Sequence, residues 1–438
     1  MSELTRREFL AGTAAAATIP TFAGALALPH AVRAAAHAGS RSTLRVGVIG
    51  CGGRGTGAAV QALRGDPGAV LVAMGDVFPE RVESCHAAIS KAMGDQAPER
   101  VRAPEERRFS GFDAYRKVLE SGLDVVVLTS YPAFRPAHLR AAVDAGVHVF
   151  AEKPLAVDGP GVRSVLESAR LAEEKKLGVV VGFCWRFNEG MSATFERVNA
   201  GALGRLLNVH TTYHTGTLGR RPREAGWSDL EFQMRNWWHF TWLSGDHVVE
   251  QAVHSIDRLM WAMGDEPPVR VNCLGGRAAR AGPEHGNVFD HFAAVYEYAD
   301  GRRTFHTCRQ IDRCPSDNTD YLYGEKGWCV VNGWQPTYSI RAHDGREEWA
   351  YSGPIGDMYQ NEHNALFRSI REGPPLNDCR RGAHSTLAAI MARMSAYTGQ
   401  TVTWEKALNS QESLAPESLE WGERATPEVA VPGNTRLL

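Results

Sequence analysis

The stretch LRVGVIGCGGRG, residues 44–55, determines the fold of the N-terminal half of this 438-residue chain. A β-branched apolar run leads directly into a GxGxxG turn, and a helical pattern follows. In such a turn the first glycine allows the tight bend and the second lets a pyrophosphate approach the backbone. The third glycine lets the helix pack closely against the strand. The stretch therefore predicts the dinucleotide-binding turn of a Rossmann domain.

Short β-branched runs alternate with helical segments as far as Gly182. This alternation is typical of right-handed βαβ units, whose strands are parallel. We therefore expect an α/β fold with an N-terminal doubly wound parallel sheet, and place the Rossmann domain at residues 43–183. The predicted strands are 44–49, 70–74, 107–109, 124–129, 148–150 and 179–182.

The alternation of strands and helices ends after Arg186. From there, predicted strands follow one another through turns such as Asp300-Gly301. Residues 184–405 are predicted to form an α+β domain with an open antiparallel or mixed sheet, and the polar residues 406–438 a loosely structured tail. Its predicted strands are 206–215, 269–275, 289–298, 303–311, 320–323 and 328–331. Its predicted helices are 246–263, 358–371 and 380–397.

The N-terminal residues have the pattern of an export signal. Arg6-Arg7 precede an alanine-rich apolar stretch, residues 11–28, and small residues follow it. This order is typical of a twin-arginine signal, which we assign to residues 1–38. Because Pro20 interrupts the stretch and leucine is scarce, it is poorly suited to spanning a bilayer. We expect a periplasmic or secreted protein, exported folded and without stable membrane insertion.

Charge and cysteine content exclude several classes of protein. The formal net charge is −2, so nothing predicts nucleic-acid binding. The eight cysteines are scattered, with neither a CxxC motif nor metal-ligand spacing. We expect buried thiols and no metal site, with a Cys308–Cys314 disulfide left open.

Asp76 suggests which dinucleotide is bound. It ends the second predicted strand, at the position where a carboxylate accepts hydrogen bonds from the ribose hydroxyls. A carboxylate there repels a 2′-phosphate, so NAD is favoured over NADP. The nearby Arg54 keeps NADP open as the lesser alternative.

Further motifs accompany the glycine turn: Thr129-Ser130-Tyr131-Pro132 with His138 downstream, Ala151-Glu152-Lys153-Pro154-Leu155, and Gly324-Glu325-Lys326-Gly327. With them, nearly the whole chain after Thr43 resembles the glucose–fructose oxidoreductase/inositol dehydrogenase (Gfo/Idh/MocA) family. The resemblance implies a Rossmann domain and an open-sheet domain that binds a sugar and mediates assembly into a homodimer or homotetramer. The predicted cofactor-binding residues are Gly50, Gly52, Gly53, Arg54, Gly55, Asp76, Thr129, Ser130, Tyr131, His138, Glu152 and Lys153.

The same resemblance gives Lys153 a place beside the nicotinamide, where an ammonium stabilises a forming alkoxide. Glu250 and His254 are four residues apart, and so share one face of the predicted helix. The family pattern there is Asp-x-x-x-His, in which the histidine accepts the hydroxyl proton and the carboxylate orients it. This chain has glutamate in place of that aspartate. We predict Lys153, Glu250 and His254 as the catalytic residues.

Two other interpretations of this helix stay open. His247 shares the face of Glu250 and His254, so the three would form a metal site, although their spacing matches no zinc motif. Alternatively, the helix forms a structural ion pair with Arg258 or Lys153. Aromatic rings near residue 238 would stack on a sugar or fill the core. The predicted substrate-binding residues are Trp185, Arg186, Asn188, Trp238, His247, Glu250 and His254.

Export restricts the catalytic cycle, because free NAD is scarce outside the cytoplasm. We therefore expect a tightly bound dinucleotide whose redox state is restored in each cycle, in an enzyme that oxidises or reduces a secondary hydroxyl of a sugar, polyol or glycoside. Two alternatives stay open. One is a redox-neutral glycosidase that eliminates the aglycone after transient ketone formation, as is known for glycoside hydrolase family 109, to which the chain is similar. The other is a sugar-binding module with a vestigial nucleotide site.

Overall fold

A computed structural model describes residues 43–416 and 418–436. The predicted export signal, residues 1–38, lies outside the described residues. Within them, no helix is both long enough and apolar enough to cross a bilayer.

The first half is a six-stranded parallel sheet in the order β3-β2-β1-β4-β5-β6. This is the doubly wound order of dinucleotide-binding domains, so the predicted fold class is confirmed. The strands are β1 (Leu44–Ile49), β2 (Ala69–Asp76), β3 (Arg108–Ser110), β4 (Val125–Leu128), β5 (His148–Ala151) and β6 (Val179–Val181). The helices are α1 (Gly53–Gly65), α2 (Pro79–Met93), α3 (Ala97–Arg100), α4 (Ala114–Glu120), α5 (Arg135–Asp144) and α6 (Gly159–Glu174).

Burial explains why these strands are central. Every residue of β2, β4, β5 and β6 is buried, because helices cover both faces of the sheet. Because these strands are parallel, the carboxyl ends of β1, β4 and β5 meet at one edge of the sheet. The glycine turn and the Glu152-Lys153 segment follow these strand ends.

The second half is a nine-stranded mixed sheet in the order β14-β13-β12-β11-β7-β10-β9-β8-β15. Only β7 and β10 pair in parallel. Its other strands pair antiparallel and alternate buried and exposed residues, as in a sheet covered on one face. The strands are β7 (Leu206–Thr215), β8 (Arg270–Gly276), β9 (His291–Glu297), β10 (Arg303–Gln310), β11 (Thr319–Gly324), β12 (Gly327–Asn332), β13 (Thr337–Ala342), β14 (Glu347–Ala350) and β15 (Val402–Thr403).

The helices of the second half separate into three groups along the chain. Those before the strands and between β7 and β8 line the junction of the two halves. The helices are α7 (Glu189–Asn199), α8 (Asp229–Arg235), α9 (Thr241–Ser244), α10 (His247–Glu250), α11 (Val253–Ala262), α12 (Met358–Glu372), α13 (Cys379–Thr398) and α14 (Trp404–Asn409). Although α12 follows the second sheet, its Leu366, Phe367 and Ile370 belong to the core beneath β1 and β2.

The predicted single helix 246–263 is wrong. The helix is interrupted at Gln251 and Ala252, between α10, which ends at Glu250, and α11, which begins at Val253. At the break, the N–H of Ala252 bonds the carbonyl of His247, five residues back rather than four, which widens the turn. Glu250 and His254 therefore do not stack on one regular helical face.

The C-terminal segment has no helix or strand in its described part after Asn409, yet it makes specific contacts. The Gln233 side chain donates to the carbonyl of Arg424, and Trp421 packs against Phe78 and Phe112. The segment thus bridges α8 and the residues just after β2.

Candidate active site

The glycine turn opens onto a cavity of about 890 Å³ between the two halves. Gly50 has φ +98°, and a Cβ on Gly55 would lie 1.9 Å from the carbonyl oxygen of Gly50, so both positions require glycine. A Cβ on Gly52 or Gly53 would meet no atom within 4 Å. These two glycines therefore leave open space in front of the N-terminus of α1.

This open space fits a dinucleotide. No side chain caps α1, so its first N–H groups can bind phosphate oxygens. The Asp76 carboxylate at the end of β2 is fixed from two sides, by the N–H groups of Cys51 at 2.7 Å and Phe78 at 3.0 Å. Burial raises its pKa despite the nearby Arg81. The residues present thus offer a phosphate site and a ribose site at the expected separation in sequence.

Arg54 is held by protein carboxylates. Its Nε donates to Oε1 of Glu152 at 2.5 Å, and its Nη2 donates to Oε1 of Glu362 on α12 at 2.9 Å. The ring of Tyr359 lies 4.9 Å from the guanidinium carbon. Arg54 lines the cavity, but its guanidinium is already bonded to these carboxylates. Through Glu362 it links the glycine turn to α12.

The two carboxylates that share Arg54 differ in protonation. Burial raises the pKa of both, but Arg54 and Lys153 outweigh it at Glu152 and hold its pKa below the usual range. At Glu362, burial and the charge of Glu152 raise the pKa well above the usual range. The pair is therefore best described as an ionised Glu152 and a protonated Glu362.

The Thr129–Tyr131 turn lies beneath the glycine turn. The Thr129 hydroxyl donates to the Gly50 carbonyl at 2.5 Å, and all three residues line the cavity. The Tyr131 hydroxyl donates to the carbonyl of Met234 and accepts from Arg81, which joins the turn to α8. His138 lies behind this layer, hydrogen-bonded to Ser130 at 2.9 Å, and does not line the main cavity.

Lys153, Glu250 and His254 meet on one wall of the cavity. The Lys153 ammonium donates to the backbone oxygen of Glu250 at 2.7 Å and lies 3.2 Å from its Oε1. The ion pair with Lys153 left open from the sequence is thus present, whereas Arg258 pairs with Asp320. Among the described residues, no hydrogen bond joins Glu250 to His254, so this structure does not show the carboxylate orienting the imidazole as in the family pattern.

Two buried atoms at this wall lack partners. Neither Oε2 of Glu250 nor Nδ1 of His254 has a hydrogen-bond partner among residues 43–416 and 418–436. Burial, together with the cations Lys153 and Arg258, holds the pKa of His254 well below its usual range. His254 is consequently a neutral imidazole that can accept a proton.

The remaining predicted substrate residues divide between the cavity and the protein interior. Trp238 lines the cavity beside Trp237. Trp185, Arg186, Asn188 and His247 do not line it, and their contact with substrate stays a prediction.

Each of these four has a structural partner instead. Arg186 pairs with Asp257, and Asn188 caps α7. Trp185 lies under Gly333 and stacks on Arg258. His247 is buried against Phe292. No described cluster of three or more residues has the composition of a metal site, and all eight cysteines are free thiols, so Cys308 and Cys314 are not paired.

Several cavity residues were not predicted from the sequence. Most come from loops and helix ends, and Tyr213 comes from β7, so their place in the cavity depends on the tertiary fold. These residues include Arg81, Arg135, Tyr213, Arg221, Arg235, Trp237, Gln251 and Tyr359.

Two family profiles match the chain. Residues 44–183 match the oxidoreductase family with an NAD-binding Rossmann fold. Residues 191–330 match the GFO/IDH/MocA C-terminal domain. The chain therefore belongs to the GFO/IDH/MocA family, in agreement with its sequence motifs.

Individual relatives agree with this assignment. Inositol 2-dehydrogenase 3 of Saccharopolyspora erythraea is 30% identical over 224 residues, which cover 51% of this chain and 55% of that protein. The chain thus spans little more than half the length of that relative. Inositol 2-dehydrogenase of Cereibacter sphaeroides is 30% identical over 271 residues, covering 61% and 68% respectively. A solved structure of levoglucosan dehydrogenase with NADH and levoglucosan has the same fold, with a TM-score of 0.65, 18% identity and coverage of 83% and 99%.

Proposed function

We propose that this protein oxidises or reduces a secondary hydroxyl of a sugar, polyol or glycoside by using a tightly bound NAD. The supporting observation is the convergence of Lys153, Glu250 and His254 on the cavity that the glycine turn enters. Inositol and levoglucosan, named for the relatives, are both compounds with ring hydroxyls, which favours a substrate of this class.

The dinucleotide, when bound, supplies a hydride acceptor or donor. The residues of the chain supply orientation and proton transfer. The Lys153 ammonium donates a hydrogen bond to the reacting oxygen and stabilises negative charge on it. The neutral His254 accepts the hydroxyl proton, and Glu250 sets the position of the ammonium through two contacts.

Export supports the tight binding of the nucleotide. We propose that residues 1–38 direct the folded protein through the twin-arginine route, after it has taken up NAD in the cytoplasm. Each turnover then returns the nucleotide to its starting redox state, either by reducing a second compound or by re-reducing the first. An Arg6→Lys/Arg7→Lys variant should accumulate in the cytoplasm of the producing bacterium, and equal secretion of both forms would contradict this route.

The test is to purify the protein without added nucleotide, denature it and analyse the supernatant. Stoichiometric NAD is expected. Sugars, polyols and glycosides are then added to the native protein while the absorbance of reduced nicotinamide is followed. Empty protein that requires millimolar free NAD would overturn the bound-cofactor proposal. Aglycone release from nitrophenyl glycosides without net NADH would support the elimination mechanism instead.

A further inference from the structure

The walls of the cavity carry more positive than negative side chains. Six cationic side chains and three carboxylates line it. The cations are Arg54, Arg81, Arg135, Lys153, Arg221 and Arg235, and the carboxylates are Asp76, Glu152 and Glu250. A dinucleotide brings two negative phosphate charges, and its oxidised nicotinamide ring carries one positive charge.

Three of these cations have a carboxylate in ion-pair contact. Arg54 contacts Glu152, and Lys153 contacts Glu250. Arg235 contacts Glu80 and Glu231, neither of which lines the cavity. Among the described residues, the other three have no ion pair.

The three unpaired cations differ in what else they contact. Arg81 donates to the Tyr131 hydroxyl, close to Asp76 at the ribose site. Arg135 is buried and donates to the carbonyl of Pro154. The side chain of Arg221 is exposed, and within the described chain it has no hydrogen-bond partner. Arg221 is thus the cation that is free to receive a ligand.

The backbone of Arg221 is nevertheless fixed. Asn236, which is buried, accepts from the N–H of Arg221 at 2.7 Å and donates to its carbonyl at 3.1 Å. This pair of bonds joins the irregular segment before α8 to the turn that carries Trp237 and Trp238. A structure that holds the main chain of an arginine and leaves its guanidinium free favours a binding role over a packing role.

Aromatic rings lie on the same wall. The ring centres of Trp237 and Trp238 are 4.9 Å apart, and Trp237 lies 5.6 Å from Tyr131. Rings of this kind stack on the C–H face of a sugar and leave its hydroxyls available to polar groups. A free guanidinium beside them would bind a carboxylate or phosphate on that sugar in bidentate fashion.

We infer that the substrate is an anionic sugar, a uronic acid or a sugar phosphate, whose acidic group is bound by Arg221 while its ring stacks on Trp237 and Trp238. This inference rests on the proposed function only in taking a sugar as the ligand. It makes Arg221 a determinant of substrate charge, separate from the reacting residues.

The test measures binding by calorimetry to nucleotide-loaded protein, and so does not depend on turnover. The probes are three pairs: methyl glucuronide and methyl glucoside, methyl galacturonide and methyl galactoside, and glucose 6-phosphate and glucose. At least one acidic member should bind about tenfold or more tightly than its neutral partner, because charge-assisted hydrogen bonds are stronger than those between neutral groups. The pair that shows the difference identifies carboxylate or phosphate as the anion.

Two variants assign the effect. Arg221→Gln should remove the preference for the acid while leaving affinity for the neutral partner and the NAD content unchanged. Arg220→Gln is the matched control, because Arg220 contacts His285 and Glu284 and does not line the cavity. It should keep the preference.

Three results would overturn the inference: no acidic probe favoured over its partner, a preference that survives Arg221→Gln, or loss of NAD in that variant, which would assign Arg221 to the cofactor. Failure of the proposed function is distinguishable, since it would appear as unchanged nicotinamide absorbance with every sugar.

Discussion

The ammonium of Lys153 lies 3.2 Å from Oε1 of Glu250 and donates to the backbone oxygen of the same residue at 2.7 Å. The two residues are 97 positions apart in the chain, one from each half of the molecule. The pair therefore joins the two halves at the reacting end of the cavity and fixes the ammonium before any ligand arrives.

Replacing Lys153 by methionine should remove catalysis without emptying the site. We expect kcat to fall by about a hundredfold or more, because an ammonium that stabilises an alkoxide contributes several kcal/mol. The NAD content should remain close to stoichiometric. Lys175→Met, which alters a lysine bound to the carbonyl of Val143, is the control. Equal turnover in both variants would remove Lys153 from the mechanism.

His254 should work as a base well below neutral pH. Burial and then Lys153 lower its pKa far below the ordinary 6.5, so it stays unprotonated and active as the pH falls through that value. The acid limb of kcat/KM should lie below about pH 6. The assignment would be contradicted if kcat/KM of the wild type already fell with an apparent pKa of 7 or above, and if this fall were absent from a His254→Asn variant that retains some activity.

Substitutions at two glycines of the turn should distinguish an effect on protein stability from an effect on NAD binding. Gly55→Ala places a Cβ 1.9 Å from a backbone oxygen and should destabilise the protein by about 2 kcal/mol or more. Gly52→Ala meets no atom within 4 Å, so stability should change by less than about 0.5 kcal/mol while NAD content falls. Thermal unfolding and nucleotide analysis measure both. Full NAD in Gly52→Ala would argue against phosphate at this position.

Glu362→Gln should stabilise the protein at alkaline pH. Burial and the charge of Glu152 raise the folded-state pKa of Glu362, so the folded form holds a proton that the unfolded form loses above its ordinary pKa of 4.5. Wild-type stability therefore falls as the pH rises above 4.5, whereas glutamine does not titrate. In urea titrations at several pH values, the gain should grow as the pH rises towards 8 and vanish near pH 4.

Glu152→Gln is the contrasting variant in the same urea titrations. Its carboxylate is ionised and bonded to Arg54, so the change should destabilise the protein and release NAD. If Glu362→Gln were the more damaging of the two, the assignment of the proton to Glu362 would be wrong.

The open face of the second sheet is expected to mediate assembly into a homodimer or homotetramer. Leu274 is 74% exposed and Tyr323 45% exposed on this face. Leu274→Asp should lower the molar mass measured by light scattering after gel filtration, because a buried charge opposes association. A monomeric wild-type protein would contradict the expectation.

Much of the fold follows from local pattern. The strand at Leu44–Ile49 and the strand at Leu206–Thr215 match their predicted limits, because buried β-branched runs and turn residues define both. Helix α2 was not predicted, although its four buried residues, Val82, Cys85, Ile89 and Met93, recur at helical spacing. Strand β14 was missed because it is short and largely exposed, whereas β13 was missed although three of its six residues are buried.

The site could be predicted only where residues adjoin a recognisable strand or motif. Lys153 and His254 were found in this way. Arg221 and Tyr359 lie far from any motif and reach the cavity through the tertiary fold. The break after Glu250, where the N–H of Ala252 bonds the carbonyl of His247, is not visible in the helical spacing, and neither is the packing of His247 against Phe292.

The contact between Arg54 and Glu362 has a consequence for biosynthesis. The nucleotide loop is made early in translation, but the helix that secures it is among the last elements to leave the ribosome. A fragment ending after the sixth parallel strand would contain every glycine of the fingerprint and Glu152, yet lack the second carboxyl group that contacts the arginine. The full set of contacts around this loop can therefore form only after α12 has been synthesised.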